Sequence, residues 1–118
     1  MSTFEIKSER GIDVLLLQPE GYINDHAGAQ LREECESAIA ENLHNIIINF
    51  ESSDQINSVG ISNLIAVIEH VQEARGQLVF TGLSQTVREV FDIMGITRHV
   101  VVCDTPAAAR SQIQPSQG

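Results

Sequence analysis

The sequence predicts an α/β domain: a mixed, mostly parallel sheet of about five strands, opened by a hairpin and packed against about four helices. Ile46-Ile47-Ile48, Leu78-Val79-Phe80 and Val100-Val101-Val102 are short apolar runs rich in β-branched residues, the pattern of strands buried on both faces of a parallel sheet. The segments between these runs change to helical spacing, so each run connects to the next through a helical crossover. The start of the chain alternates instead, which predicts a hairpin and makes the sheet mixed.

In order along the chain, Phe4 and Ile6 alternate with polar residues, and Gly11 precedes a nearly continuous apolar run from Ile12 to Leu17, so two strands are joined by a turn. Pro19 and Gly21 interrupt that pattern. Asn24-Asp25 supplies a helix cap ahead of Leu31, Cys35, Ala38 and Ile39, which share one helical face. The run at Ile46 to Ile48 is expected mid-sheet. After the polar stretch from Glu51 to Gln55, Ile61, Leu64, Ile65, Ile68 and Val71 give the clearest amphipathic face in the chain, with Gly76 as the C-terminal stop. Ser84 caps a third helix carrying Val87, Val90, Phe91 and Met94, and Gly95 ends it. Thr105 before Pro106 opens a short alanine-rich helix, and residues 114–118 are expected to form a loose tail. The predicted order is β-β-α-β-α-β-α-β-α.

The 118 residues, 42% of them hydrophobic, suit a single domain over 1–118 whose core needs no disulfide or structural metal. With 16 acidic and 7 basic residues the chain carries a formal charge of -9, which argues against nucleic acid or an anionic membrane as a partner. Glu33, Glu34, Glu36 and Glu41 are expected on a solvated helix face. No stretch approaches the ~20 apolar residues of a membrane span, and the N-terminus lacks a basic segment followed by an apolar run. Neither membrane insertion nor secretion is expected, and a cytoplasmic location fits Cys35 and Cys103, which have no C-x-x-C spacing. Both cysteines are read as packing residues without a redox role.

Phosphate-binding glycine loops, H-E-x-x-H and G-x-S-x-G are all absent. His26, His44, His70 and His99 are scattered without ligand spacing. No catalytic residue, metal or cofactor is therefore expected.

Sequence and local geometry converge at Asn57-Ser58-Val59-Gly60, where the polar loop enters the second helix. In structural terms Ser58 is expected as an N-cap hydroxyl satisfying a free backbone N–H. In functional terms it is a candidate phosphate acceptor: an added group would carry about -1.5 to -2 charges and would sit at the positive end of a helix dipole. The fold accepts that charge, while a protein docked on the loop is expelled.

Gly21-Tyr22-Ile23-Asn24-Asp25, the segment from Ile46 to Gly60, the segment from Gly76 to Leu83 and the segment from Phe91 to Ile96 together resemble the STAS family. Within it the chain is similar to the stand-alone bacterial anti-sigma-factor antagonists. The resemblance implies a STAS fold and a partner-switching cycle, in which the unphosphorylated protein binds an anti-sigma serine kinase and phosphorylation at Ser58 ends the binding. A PP2C-type phosphatase would reverse it. It also implies a docking face made of Asn24, Asp25, Ser52, Ser53, Asp54, Asn57, Ser58, Val59, Gly60 and Ser62. The family usually has aspartate where this chain has Asn49 and Asn57, so the carboxylate directly before the acceptor is replaced by an amide that keeps its hydrogen-bonding capacity.

Two other readings stay open. One is a constitutive adaptor in a signalling or transport complex, without phosphorylation. The other is a small-molecule-binding domain using the polar loop ends, as parallel sheets often do.

Overall fold

The computed structural model describes residues 4–113; the tail expected over 114–118 lies outside the described residues. Strands β1 (Glu5–Arg10) and β2 (Leu15–Glu20) form the opening hairpin, with Ile6 opposite Pro19 and Arg10 opposite Leu15. There follow α1 (Asp25–Ala40), β3 (Asn45–Asn49), α2 (Ser58–Glu73), β4 (Gln77–Thr81), α3 (Gln85–Ile93), a 3-10 turn (Ile96–Arg98), β5 (Val101–Cys103) and α4 (Pro106–Gln112). This is the predicted order with the 3-10 turn added.

Strand order across the sheet is β1-β2-β3-β4-β5, antiparallel in the first pair and parallel in the other three. The triple-isoleucine strand β3 is central, as its unbroken apolar run requires. Three successive crossovers step across the sheet in one direction, so right-handed connections place α1, α2 and α3 on the same face. Accordingly Leu31 and Cys35 of α1, Leu64 and Val67 of α2, and Val87 and Phe91 of α3 share one core with Leu15, Leu17, Ile46, Ile48, Leu78 and Phe80. The alternate strand residues Ile47 and Val79 point to the opposite face, where Ala109 of α4 and Val14 cover them.

Several elements depart from expectation. Ile12 is 97% exposed in the hairpin loop, because the run read as one strand begins to pair only at Leu15. Pro19 does not end β2; it lies beyond Leu17, the last residue of β2 paired with β3, and pairs only with the outer strand. The left-handed residue that ends α2 is Arg75, at φ 58°, and not Gly76. Gly76 is needed for another reason: a Cβ there would collide with the His44 carbonyl oxygen. Met94 is 53% exposed past the end of α3, and buried Ile96 takes the place expected for it. Val101 is exposed because β5 is an edge strand of three residues instead of a fully buried one.

Candidate functional site

Strands β2 and β3 both deliver their C-terminal ends to one edge of the sheet, and the loops that follow are tied together residue by residue. Phe50 anchors the start of the β3–α2 loop, its ring packed edge-on against Phe80 at 5.0 Å and Phe91 at 5.7 Å between centroids. Beside it Asn49, almost fully buried, fills its hydrogen-bonding capacity. Its Oδ1 accepts from the Glu51 N–H (3.2 Å) and the Thr81 hydroxyl (3.1 Å), while its Nδ2 donates to Gln18 Oε1 (3.2 Å) and Glu51 Oε1 (3.1 Å). An aspartate here would lose both donated bonds and face the Glu51 carboxylate, which is a physical reason for the amide in this chain.

Further along, Ser53 is 3% exposed and donates its hydroxyl to the Gly21 carbonyl at 2.6 Å. The Gly21 N–H donates to the Ser52 carbonyl at 3.0 Å, and the Ser52 hydroxyl accepts from Gln18 Nε2 at 3.2 Å. The Ile23 N–H donates to Gln55 O at 2.9 Å and the Asn57 N–H donates back to Ile23 O at 3.0 Å, forming a short parallel bridge between Ile23 and Ile56. These bonds leave the two loops no independent freedom.

The two loops end in two asparagine caps. Asn24 Oδ1 accepts from the Ala27 N–H at 3.0 Å to start α1, and Asn57 Oδ1 accepts from the Gly60 N–H at 2.8 Å to start α2. Asn57 also donates its Nδ2 to Asp25 Oδ1 at 2.8 Å, so one amide caps one helix and grips the first residue of the other. The helices approach closely through two glycines. A Cβ on Gly28 would come within 2.9 Å of Gly60 Cα, and one on Gly60 within 2.6 Å of the Ile23 carbonyl.

The cap expected at Ser58 is therefore corrected: Asn57 holds that position, and Ser58 is the first residue of α2. Asn57 holds it because the helix begins one residue earlier than expected: Asn57 is the last residue with extended backbone, at φ -95° and ψ 176°, and its Oδ1 reaches the N–H of the third helical residue, Gly60. Ser58 is left exposed, and its hydroxyl bonds to no described residue. Its carbonyl accepts from the Ser62 hydroxyl at 3.1 Å.

The residues singled out in the sequence thus divide by depth. Asn24, Asp25, Asn57, Ser58, Val59 and Ser62 gather at the paired helix starts, and Ser52 and Asp54 reach solvent along the loop. Ser53 and Gly60 lie beneath that surface and hold it in place. The sequence reading missed the contribution of Tyr22 and α3: Tyr22, Asp54, Gln55, Ile56, Thr86, Val87 and Val90 line a cavity of about 360 Å³. An aromatic residue inside a polar loop was the available signal.

The segments 20–26 and 51–63 contain Glu20, Asp25, Glu51 and Asp54 but no lysine or arginine. Glu20 pairs with Lys7 at 3.2 Å. Among the described residues no group of three or more histidine, cysteine or acidic side chains is placed to hold a metal ion, and no helix is long and apolar enough to cross a membrane.

Comparison with known proteins places this geometry. A protein of Bordetella bronchiseptica, BtrV, provisionally described as an anti-sigma factor antagonist, is 27% identical over 90 residues, covering 76% of this chain and 78% of that one. The anti-sigma factor antagonist SpoIIAA in its unphosphorylated form superposes with a TM-score of 0.73 at 20% identity, over 93% of this chain and 96% of that one. The phosphorylated form of the Bacillus protein gives 0.74 at 21% identity, over 95% and 100%. An anti-sigma factor antagonist from Mycobacterium paratuberculosis gives 0.82 at 16% identity, over 96% of each chain. These structures share the fold described above, including the mixed five-stranded sheet. With residues 3–109 matching the model of the STAS domain, the chain belongs to the STAS domain family.

Proposed function

We propose that this protein is an anti-sigma factor antagonist that docks on an anti-sigma serine kinase and is released when that kinase phosphorylates Ser58. The observation that carries the reading is the division of labour at the start of α2. Asn57 caps the helix, so the exposed Ser58 hydroxyl is free for chemistry and modifying it removes no bond that the fold uses. A phosphate there sits at the positive end of the α2 dipole, where negative charge is accommodated. The half-buried Asn24 and the exposed Asp25, Ser52, Asp54, Val59 and Ser62 around it form the docking face, supported from below by Ser53 and Gly60. A PP2C-type phosphatase would return the protein to its binding state. The protein itself acts by binding, without catalysis of its own. The descriptions of BtrV and SpoIIAA as antagonists, and the existence of SpoIIAA in a phosphorylated form, support this assignment.

Intact mass measurement before and after incubation with candidate anti-sigma kinases and ATP, followed by peptide mapping, tests it. One phosphate on Ser58, absent from a Ser58→Ala variant, is the expected result, and Ser58→Asp should weaken kinase binding by roughly tenfold or more. Tight kinase binding with no phosphate would select a constitutive adaptor instead.

A further inference from the structure

We propose that the cavity between the β2–α1 loop, the β3–α2 loop and the start of α3 seats an arginine side chain presented by the protein partner. The inference deepens the docking reading above and rests on it for the identity of the occupant as a protein. Its chemistry is read from the lining. Ile56, Val87 and Val90 supply an aliphatic floor, Tyr22 supplies an aromatic ring that is 45% exposed, and Asp54 is the one carboxylate. Neither the Asp54 carboxylate nor the Tyr22 hydroxyl is bonded to any described residue, so both are available to an incoming group.

A guanidinium satisfies all three surfaces at once. Its planar face stacks on an aromatic ring, its paired N–H groups match a carboxylate, and its three-carbon stem covers apolar surface. An anion would meet Asp54 with repulsion, and a purely apolar side chain would leave that carboxylate facing a dry contact. The two neighbouring loops add Asp25 and Glu51 and carry no lysine or arginine, while α3 adds the exposed pair Arg88 and Glu89, whose charges offset each other, on a chain of net charge -9. The cavity wall at Ile56 is two residues from Ser58, so a kinase must bring the phosphates of its nucleotide close to an already acidic protein. A cation from the partner seated at the adjacent cavity offsets that repulsion, while the phosphate added later lands at the helix start and not in the cavity.

The test is an amide NMR titration of the full chain with the peptide acetyl-Ala-Arg-Ala-amide and its citrulline counterpart, which keeps the shape and removes the charge. The arginine peptide is expected to shift the amides of Tyr22, Gln55 and Val87 saturably and to bind about fivefold more tightly than the citrulline peptide. Asp54→Asn, an exposed substitution, should abolish that difference, and Tyr22→Leu should reduce it. Equal affinity for the two peptides, shifts centred elsewhere, no saturable shift, or full retention in Asp54→Asn would each overturn the assignment. The titration contains no kinase and no ATP. Its failure removes the arginine seat alone, whereas absence of phosphate on Ser58 in the mass experiment removes the switch alone.

Discussion

Asn57 shows how a single amide can replace a carboxylate for structural reasons. Its oxygen accepts from the Gly60 N–H and its nitrogen donates to Asp25, two jobs of opposite polarity that aspartate could not perform together. In Asn57→Asp the cap survives but two carboxylates meet at the former hydrogen-bond distance. Urea denaturation should show a loss of about 1 to 2 kcal/mol. Adding Asp25→Asn restores a donor across the pair, so the double variant should recover most of that loss, and strict additivity in the cycle would disprove the coupling. The same geometry reverses the ranking that a serine cap would give. Ser58→Ala should change stability by less than about 0.5 kcal/mol, whereas Asn57→Ala should cost about 1 kcal/mol or more. The amide at Asn57 thus has a structural reason, and Asp25 brings a carboxylate to the same place from the neighbouring helix.

Helix endings decide stability at the next scale. Three helices in succession end on a left-handed residue, Asn42 at φ 66°, Arg75 at φ 58° and Gly95 at φ 76°, and arginine is the least suited of the three. Arg75→Gly relieves that strain at some cost in unfolded-chain entropy, and a net gain of roughly 0.5 kcal/mol, seen as a higher Tm, is expected. Gly76→Ala should act in the opposite direction by 2 kcal/mol or more, since its new methyl group meets the His44 carbonyl that receives the Gln77 N–H at 3.2 Å. A comparison of the two melting curves separates backbone strain from steric exclusion at adjacent positions. If Arg75→Gly lowers Tm, the side chain has a role that its conformation does not reveal.

Over the whole molecule the two faces of the sheet are covered unequally. Three helices enclose the larger core, while the short α4 packs on β3, β4 and β5 over a smaller cluster against which Leu16 is only partly buried. Cys35 lies inside the larger core, and burial, reinforced by Glu34 and Glu36, pushes its thiol up from 9.0 to about 12. Unfolding releases the thiol to ionise at its ordinary value, so between about pH 9 and pH 12 the unfolded state binds fewer protons than the folded one, and stability falls as pH rises. The slope from this group approaches 1.4 kcal/mol per pH unit in that window and vanishes below it. Denaturation of the parent chain and of Cys35→Ala at several alkaline pH values should show the steeper decline only in the parent. Equal slopes would mean that the core admits water to the thiol.

The element order, the central place of the triple-isoleucine strand, the hairpin and the helix starts at Asn24, Ser84 and Thr105 were legible in the sequence, because hydrophobic period and cap chemistry are local. Their limits were local too. Ile12 and Leu15 are equally apolar, and only pairing with β1 shows which belongs to the strand. Gly76 looked like a left-handed stop, yet its small size matters because the His44 carbonyl, 32 residues earlier, comes close. The candidate acceptor and the loop around it could be located by their residues and by resemblance. That Asn57 rather than Ser58 caps α2, that Ser53 is buried, and that Tyr22 and α3 complete a cavity beside the loop were decided by the fold alone. Segments distant in sequence meet in each case: Asp25 bonds to Asn57, Gly21 bonds to Ser53, and Tyr22, Asp54 and Thr86 line one cavity. Local composition determines which conformations each segment favours, whereas the choice among possible partners is made when parallel strands deliver two loops to the same sheet edge.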